Sequence, residues 1–195
     1  MRGLLVSNVM SLDGFFEGPN HEFNWFTPDE EFIDYAKELL RSVDTLLFGR
    51  RTYEHMAAYW PSAPHDEIAD QMNSLAKVVV SSTLKNAEWN NSTMLTGDIA
   101  EEIAKLKQKP GKDMVIFGSA RLASFLLEEG LIDEYRVILA PLLLGRGNPL
   151  FGDMKKQLRL KLDKTKQLRS GVTLLYFRSA AYLGRVPFDP SRAAH

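Results

Sequence analysis

Two apolar segments of the sequence each end on a glycine and continue into a helix-like segment that carries arginine. Residues 45–48 lead into Gly49, and residues 114–117 lead into Gly118. A strand that passes through glycine into a helix presents free backbone N–H groups at the helix start, and such groups bind phosphate. Because the sequence contains two of these junctions, we expect a ligand with two phosphate groups, that is, a dinucleotide.

The residues around these glycines have the chemistry that phosphate binding needs. Glycine lets a ligand approach the backbone, and arginine and hydroxyl side chains donate hydrogen bonds to phosphate oxygens. The candidates are Gly49, Arg50, Arg51 and Thr52 at the first junction, and Phe117, Gly118, Ser119, Ala120 and Arg121 at the second. A purely structural reading also fits: a glycine turn with solvated arginines, and close helix packing at Ala120.

Two serines, Ser81 and Ser82, end the β-rich segment at residues 77–82. Their hydroxyl groups either reach a ribose phosphate or cap the exit of the strand. In dinucleotide folds an acidic residue binds an unmodified ribose, whereas a nearby arginine accommodates a 2′-phosphate. Because arginines and serines cluster at the candidate sites, the sequence favours a phosphorylated ribose.

Two acidic residues are candidates for proton delivery. Glu30 follows Thr27 and Pro28 in a pattern that predicts a helix start, with Thr27 as the cap, Pro28 in the first turn and Glu30 completing a capping box. The same carboxylate would lie near the mouth of the first strand, where it could bind an aminopyrimidine edge or deliver a proton. Asp13 lies in a loop of turn formers, either as a turn residue or as the holder of a water molecule.

The composition argues against several classes of function. With 24 basic and 25 acidic residues among 195, the formal net charge is -1, so no global field favours nucleic acid or an anionic membrane. Cysteine is absent and the four histidines have no metal-binding spacing, so we expect no metal site. No apolar stretch approaches the roughly 20 residues that cross a bilayer, and the amino terminus does not resemble a signal peptide. We therefore expect a cytoplasmic protein.

Apolar runs and helical periods alternate along most of the chain. Apolar runs predict strands at residues 4–10, 45–48, 77–82, 93–95 and 114–117, with amphipathic helices between them. The later pattern predicts strands at residues 135–144, 158–168 and 172–178, with a hairpin turn at residues 169–171. These repeats predict an α/β fold with a mixed sheet, parallel at first, and helices on both faces. We expect one domain at residues 1–180 and a loosely held tail at residues 181–195.

Five ordered blocks of the sequence carry a resemblance to a known family. They are NVMSLDG at residues 8–14, FGRRT at 48–52, VVSS at 79–82, FGS at 117–119 and APLLLGRG at 140–147. Together they resemble the dihydrofolate reductase superfamily, and more closely its branch related to the reductase domain of bifunctional riboflavin biosynthesis enzymes. The resemblance extends over about residues 2–179, which is most of the chain.

This resemblance implies a fold, a cofactor and an assembly. The expected fold is a three-layer α/β/α domain with a mixed, mostly parallel eight-stranded sheet and a C-terminal antiparallel hairpin. The expected cofactor is NADPH, the hydride donor, and the expected partners are a small-molecule substrate and a second copy of the chain in a homodimer. Neither nucleic acid nor a membrane is expected as a partner.

The resemblance also assigns roles to residues of this sequence. Residues 49–52 match the segment that holds the adenine-side phosphates, Ser81 and Ser82 match the strand exit near the 2′-phosphate, and residues 117–121 match the junction beside the pyrophosphate and nicotinamide. Asn8 and Val9 would offer backbone groups to the carboxamide of the nicotinamide. The loop at residues 11–18 would cover that ring, and Glu30 would bind the substrate.

The function implied is hydride transfer from NADPH to a C=N or C=O carbon of a small pterin- or pyrimidine-like heterocycle, with Glu30 or a water held by Asp13 supplying the proton. One alternative is the 5-amino-6-(5-phosphoribosylamino)uracil reductase of riboflavin biosynthesis, with Arg146 as an additional phosphate contact. A second alternative is a non-catalytic nucleotide-binding protein on the same scaffold. A third is stacking of a flavin by the aromatic residues Phe15, Phe16, Trp25 and Phe26.

Overall fold

The computed structural model describes residues 1–179, so the predicted tail at residues 181–195 lies outside the described residues. Its strands are β1 (Leu4–Ser11), β2 (Phe15–Glu17), β3 (Val43–Gly49), β4 (Ala76–Val80), β5 (Ser92–Leu95), β6 (Asp113–Phe117), β7 (Glu134–Ala140), β8 (Asn148–Pro149), β9 (Leu160–Gln167) and β10 (Thr173–Ser179). Its helices are α1 (Glu30–Ser42), α2 (Arg50–Tyr59), α3 (Glu67–Ser74), α4 (Ile99–Gln108) and α5 (Ala120–Glu128), with a 3-10 turn at Trp60–Ser62.

Eight strands form one sheet in the order β5-β4-β3-β6-β1-β7-β10-β9. All neighbouring pairs are parallel except the two that involve β10, which runs antiparallel to β7 and β9. The hairpin before β10 closes where the sequence predicts it, because the Gly171 N–H donates to the Leu168 carbonyl at 3.0 Å. The mixed, mostly parallel α/β sheet is therefore confirmed.

Helices cover both faces of this sheet, because successive strand residues point to opposite sides. Leu4 and Val6 are buried in one core together with residues of α4 and α5, whereas Leu5 belongs to a second core with residues of α1, α2 and α3. All three side chains are at most 5% exposed. The three-layer arrangement follows directly from this alternation.

Three local expectations are wrong. α1 begins at Glu30 with Asp29 as its cap, because the Asp29 carboxylate accepts the Phe32 N–H at 2.8 Å, so Thr27 does not cap and Glu30 closes no capping box. The strand expected at residues 135–144 ends at Ala140, because the next residue is Pro141, which has no N–H for the ladder. The loop after β1 contains β2, which pairs with β8 in a separate two-stranded sheet.

In the part of the chain that is described, no helix combines the length and the apolar character that a membrane crossing requires.

Candidate functional site

The two glycine junctions lie side by side at the carboxyl edge of the sheet, because β3 and β6 are neighbouring parallel strands. The Gly49 N–H donates to the Ser119 hydroxyl oxygen at 2.7 Å. The Ser119 N–H and the Ser119 hydroxyl donate to the Thr52 hydroxyl oxygen at 3.0 and 2.9 Å. These three hydrogen bonds join the starts of α2 and α5 into one unit, at the kind of edge where open α/β sheets bind ligands.

The backbone at position 118 requires glycine at this junction. Its φ of +60° lies in the left-handed region, and a Cβ atom there would approach Thr52 Cγ2 to 2.9 Å. Ser119 follows with a φ of +51°, which turns the chain from β6 into α5. Ala120 is buried in the core, and this position supports the interpretation that it serves close helix packing.

The three arginines of the junctions have different surroundings. A guanidinium nitrogen of Arg50 donates to the Thr83 hydroxyl at 2.9 Å, and Arg50 Nε lies 3.7 Å from a Glu54 carboxylate oxygen. Arg51 donates to His21 Nδ1 at 3.3 Å. Arg121 is 90% exposed and lies 3.6 Å from an oxygen of Asp153. All three side chains are thus accessible at the starts of α2 and α5.

Thr83 was not anticipated from the sequence, although it links Arg50 to the serines. The Ser81 hydroxyl oxygen accepts the N–H groups of Thr83 at 3.1 Å and Leu84 at 2.9 Å, so it caps the turn after β4. Ser82 is exposed beside it. The Arg50 guanidinium and the hydroxyl groups of Ser82 and Thr83 therefore lie together at the exit of β4.

One edge of β1 lacks a neighbouring strand near its end. β6 pairs with β1 only as far as Ser7, which lies opposite Phe117, whereas β7 continues along β1 as far as Ser11. Beyond Ser7, the chain of β6 turns away through Gly118 into α5. Residues 8–11 therefore have no paired strand on this side of β1, and we refer to this unpaired edge, next to the joined junctions, as the vacancy.

The hydrogen bonds at the two ends of β1 show which residues face this vacancy. The carbonyl of Gly3 accepts from β6, whereas the Leu4 carbonyl and the Leu12 N–H bond to residues flanking β7. Because successive strand residues direct their backbone groups to opposite sides, Val9 faces the vacancy and Asn8 faces β7. The resemblance implies that the backbone groups of both residues are available to a ligand. The structure corrects this for Asn8, whose backbone faces β7, whereas the Val9 backbone is available.

The side chain of Asn8 is 97% buried, since only 3% of it is exposed. Its Nδ2 donates to the Tyr135 hydroxyl at 3.3 Å, but its Oδ1 has no hydrogen-bond partner among the described residues. An unsatisfied buried acceptor costs about 1–3 kcal/mol, and native proteins contain few of them.

Asp13 anchors the loop that follows β1. One carboxylate oxygen accepts the Ser11 hydroxyl at 2.6 Å and the Leu144 N–H at 3.1 Å, and the other accepts the Gly145 N–H at 2.7 Å. These hydrogen bonds, first that of Ser11, lower the pKa of Asp13 below its ordinary value. Arg146, the candidate for an additional phosphate contact, is exposed in the segment that Asp13 holds.

The acidic residues at the start of α1 have separate roles. Glu30 is the first residue of the helix and is exposed. Asp29 caps the helix, and hydrogen bonds to Ser170 and to Phe32 lower its pKa. Glu31 accepts the Arg169 N–H at 2.7 Å, so these two neighbours attach α1 to the β9–β10 hairpin. Of these three acidic residues, Glu30 is the one without a side-chain hydrogen bond or ion pair to another described residue.

A polar cluster between the sheet and α1 was missed by the sequence analysis. Ser7 and Arg136 are opposite residues of β1 and β7, and Tyr176 of β10 lies opposite Arg136, so all three form one row. Ser7 Oγ lies 3.0 Å from the Tyr35 hydroxyl, Arg136 forms an ion pair with Glu134, and its guanidinium lies 5.1 Å from the Tyr176 ring centre. Burial raises the pKa of Tyr35, and Arg136 opposes that shift. The only signal in the sequence is arginine within an apolar strand.

The aromatic residues considered for flavin stacking belong to two groups. Trp25 and Phe26 pack with their ring centres 6.2 Å apart, and Phe26 lies 4.9 Å from Phe32 of α1. Phe15 and Phe16 belong to β2, and Phe16 packs against the core on the α4 and α5 side. The four rings therefore do not form one stacking surface.

Within residues 1–179, no three acidic or histidine side chains are grouped as metal ligands would be.

Comparisons with known proteins identify the family and the fold of this chain. The chain is 35% identical over 184 residues to the uncharacterized protein YyaP of Bacillus subtilis strain 168, covering 90% of this chain and 94% of the relative. Among solved structures, a Shewanella sp. PV-4 protein whose name provisionally assigns it to riboflavin biosynthesis is similar to this chain. The TM-score is 0.72 at 23% identity, and the match covers 91% of this chain and 98% of that one.

A third similar structure is the dihydrofolate reductase of Enterococcus faecalis, solved with NADP(H) and a second compound. Its TM-score is 0.63 at 16% identity, and the match covers 91% of this chain and 96% of that one. At such identities these two structures establish the fold, which is that of dihydrofolate reductase. The model of the RibD C-terminal domain matches residues 2–174. The chain therefore belongs to the RibD C-terminal domain family.

Proposed function

We propose that the protein is an NADPH-dependent reductase that acts on a C=N or C=O carbon of a small pterin- or pyrimidine-like heterocycle. The observation that carries this proposal is the vacancy beside Val9, next to the joined starts of α2 and α5. Membership of the RibD C-terminal domain family supports it, as does the NADP(H) present in the structure of the E. faecalis enzyme.

The residues present fit NADPH from end to end. The N–H groups at the starts of α2 and α5 would hold the phosphates that join the two nucleosides, with Arg51 and Arg121 available beside them. Arg50, Ser82 and Thr83 would hold the 2′-phosphate. The Val9 backbone would hold the nicotinamide amide. When bound there, the nucleotide supplies the hydride.

The chain's own contribution is positioning, exclusion of water and control of a proton. Both carboxylate oxygens of Asp13 accept hydrogen bonds in the loop that would cover the ring, so we assign Asp13 to holding that loop closed. Glu30 is exposed at the start of α1, so we assign proton delivery to Glu30. The Ser7–Tyr35 pair joins β1 to α1, the helix that carries Glu30.

Two alternatives remain distinct from this function. The first is reduction of 5-amino-6-(5-phosphoribosylamino)uracil; a Thermotoga maritima protein named for that deaminase and reductase pair has a TM-score of 0.67 at 13% identity, although this chain spans only 57% of it. The exposed Arg146 would then contact the substrate phosphate. The second is a nucleotide-binding protein without turnover. The homodimer and the cytoplasmic location stay predictions.

The experiment is a titration with NADPH followed by a substrate screen. Oxidised pterins and aminopyrimidine ribosides, with and without a 5′-phosphate, would be incubated with the protein and NADPH while nicotinamide absorbance is followed. Turnover of a pterin or a free pyrimidine supports the proposed function, and turnover of the phosphorylated riboside alone supports the first alternative. Binding of NADPH without any turnover, and with no effect of Glu30→Gln, supports the second.

A further inference from the structure

His21 is a titratable residue that the proposed function does not use, although it contacts Arg51. A Glu17 carboxylate oxygen of β2 lies within hydrogen-bond distance of His21 Nδ1, and the Asn148 amide nitrogen of β8 lies 2.9 Å from the same atom. Arg51 in the first turn of α2 donates to it at 3.3 Å. One imidazole nitrogen therefore connects β2 and β8 with the start of α2.

The protonation state of His21 decides which neighbour its Nδ1 atom binds. The neutral ring with its proton on Nε2 accepts the Arg51 N–H, whereas the imidazolium donates Nδ1–H to Glu17. Asn148 does not need this nitrogen, because its amide also donates to Glu17 Oε1 at 2.8 Å and to the Gly18 carbonyl at 3.2 Å. Adding a proton thus moves the hydrogen bond of His21 from α2 to β2.

The charges around His21 oppose one another in the free protein. The Glu17 carboxylate, whose side chain is 15% exposed, favours the imidazolium, and the Arg51 guanidinium opposes it, because like charges in contact repel. The carboxylate of Glu22, in the same turn, accepts the Asn20 N–H at 2.8 Å. A phosphate bound at Arg51 would offset the repulsion between the two cations.

We propose that His21 is an ionisable part of the phosphate site, so that binding of a phosphate group at Arg51 is coupled to protonation of His21. The proton comes from solvent and adds to Nδ1, which then donates it in a hydrogen bond to Glu17. This inference rests on the proposed function, which places NADPH phosphates beside Arg51. His21 would then make the affinity for the cofactor depend on pH.

The test is the affinity of the whole protein for NADPH, measured by calorimetry from about pH 5 to about pH 8, the range in which histidine changes its charge. His21→Asn removes the titrating ring, and asparagine tolerates the left-handed φ of +67° at this position. The ratio of wild-type to variant affinity should fall about fivefold or more as the pH rises. This ratio is informative because the 2′-phosphate of NADPH titrates in the same range for both proteins.

His65→Asn is the matched control, since His65 is 98% exposed and lies 3.3 Å from an Asp70 oxygen, in a second histidine–carboxylate pair. It should keep the pH dependence of the wild type. His21→Gly, which suits the same φ, should lose that dependence as His21→Asn does. Thermal unfolding without nucleotide shows that each variant is folded.

A measurement without nucleotide tests the repulsion itself. Ring-proton NMR should show that His21 stays protonated to higher pH in Arg51→Ala than in the wild type, and an unchanged titration would overturn the inference. If the affinity ratio of wild type to His21→Asn is constant across this pH range, the inference is also wrong, while the proposed function stands. If the wild type binds no NADPH at any pH, the proposed function fails and the inference fails with it.

Discussion

Ser119 donates both its backbone N–H and its hydroxyl to the hydroxyl oxygen of Thr52, at 3.0 and 2.9 Å, and so couples the first turn of α2 to the entry of α5. Thr52→Val keeps the shape of the side chain but leaves both Ser119 donors without their partner. We expect a loss of unfolding free energy of about 1–2 kcal/mol and weaker binding of NADPH, because the phosphate-binding backbone is no longer fixed. Thermal unfolding and calorimetry measure the two effects.

Thr52→Ser keeps the hydroxyl and is the matched control. It should retain most of the NADPH affinity of the wild type. A Thr52→Val variant that binds NADPH like Thr52→Ser would show that the coupling between the helices has no part in the site.

Arg50 is expected to set the preference for a phosphorylated ribose, because its guanidinium lies at the serine and threonine turn after β4. A hydrogen bond to a charged group contributes about 1.5–3 kcal/mol, so Arg50→Ala should weaken NADPH about 10- to 100-fold and NADH by less than about threefold. Arg41→Ala is the control, since Arg41 lies in the last turn of α1 and pairs with Glu67. Equal losses for NADPH and NADH would rule out the phosphate role.

Asp13 is expected to act as a loop anchor that opens in acid. Its pKa is lowered in the folded protein, so its contribution to stability is complete above the ordinary value of 3.8 and is lost as the pH falls through the lowered value. Asp13→Asn removes the charge at every pH. We expect faster hydrogen exchange at Leu144 and Gly145 in this variant at neutral pH, with the exchange of the β1 and β3 amides unchanged.

The control for this loop is Asp153→Asn, which changes an acidic side chain that is 56% exposed. It should exchange like the wild type at Leu144 and Gly145. Protection at those two amides that survives in Asp13→Asn would mean that the β2–β8 pairing holds the loop by itself.

Lys77 is expected to make the unfolding free energy of the protein depend on pH in the alkaline range. The side chain is buried, its ammonium donates to the carbonyls of Asn73 and Leu75 and lies 4.4 Å from the Trp89 ring centre, and burial lowers its pKa from 10.5 to about 8. The unfolded chain therefore binds more protons between pH 8 and 10.5, so this residue makes stability rise with pH in that window.

Lys77→Met has no such group, and its unfolding free energy, measured by denaturant titration at several pH values, should rise less between pH 8 and 10.5 than that of the wild type. The difference between the two proteins is the informative quantity, because other lysines and tyrosines titrate in the same range. Parallel curves would show that Lys77 titrates normally in the folded state.

Much of the sheet could be predicted from the sequence, because apolar runs such as residues 114–117 are buried on both faces and end at glycine. β2 and β8 could not, since strands of three and two residues form only through their pairing with each other. The start of α1 was misplaced by two residues because Thr27 and Asp29 are both competent caps.

The candidate site likewise has parts that could be predicted from the sequence and parts that could not. The glycines and arginines of both junctions are visible as local patterns, and their chemistry does not depend on the rest of the fold. The vacancy at Val9 is not visible, because it arises from the different lengths of β6 and β7 beside β1. The contact between Ser7 and Tyr35 and the row that Ser7 forms with Arg136 likewise depend on strand order, which no local pattern contains.

The most direct test of the account is a crystal structure of the protein soaked with NADPH. We predict the nicotinamide amide against the Val9 backbone, the pyrophosphate between the starts of α2 and α5, and the 2′-phosphate at Arg50. A nucleotide bound elsewhere, for example in the surface cavity lined by Tyr53, Pro61 and Trp89, with the carboxyl edge of β3 and β6 empty, would contradict it.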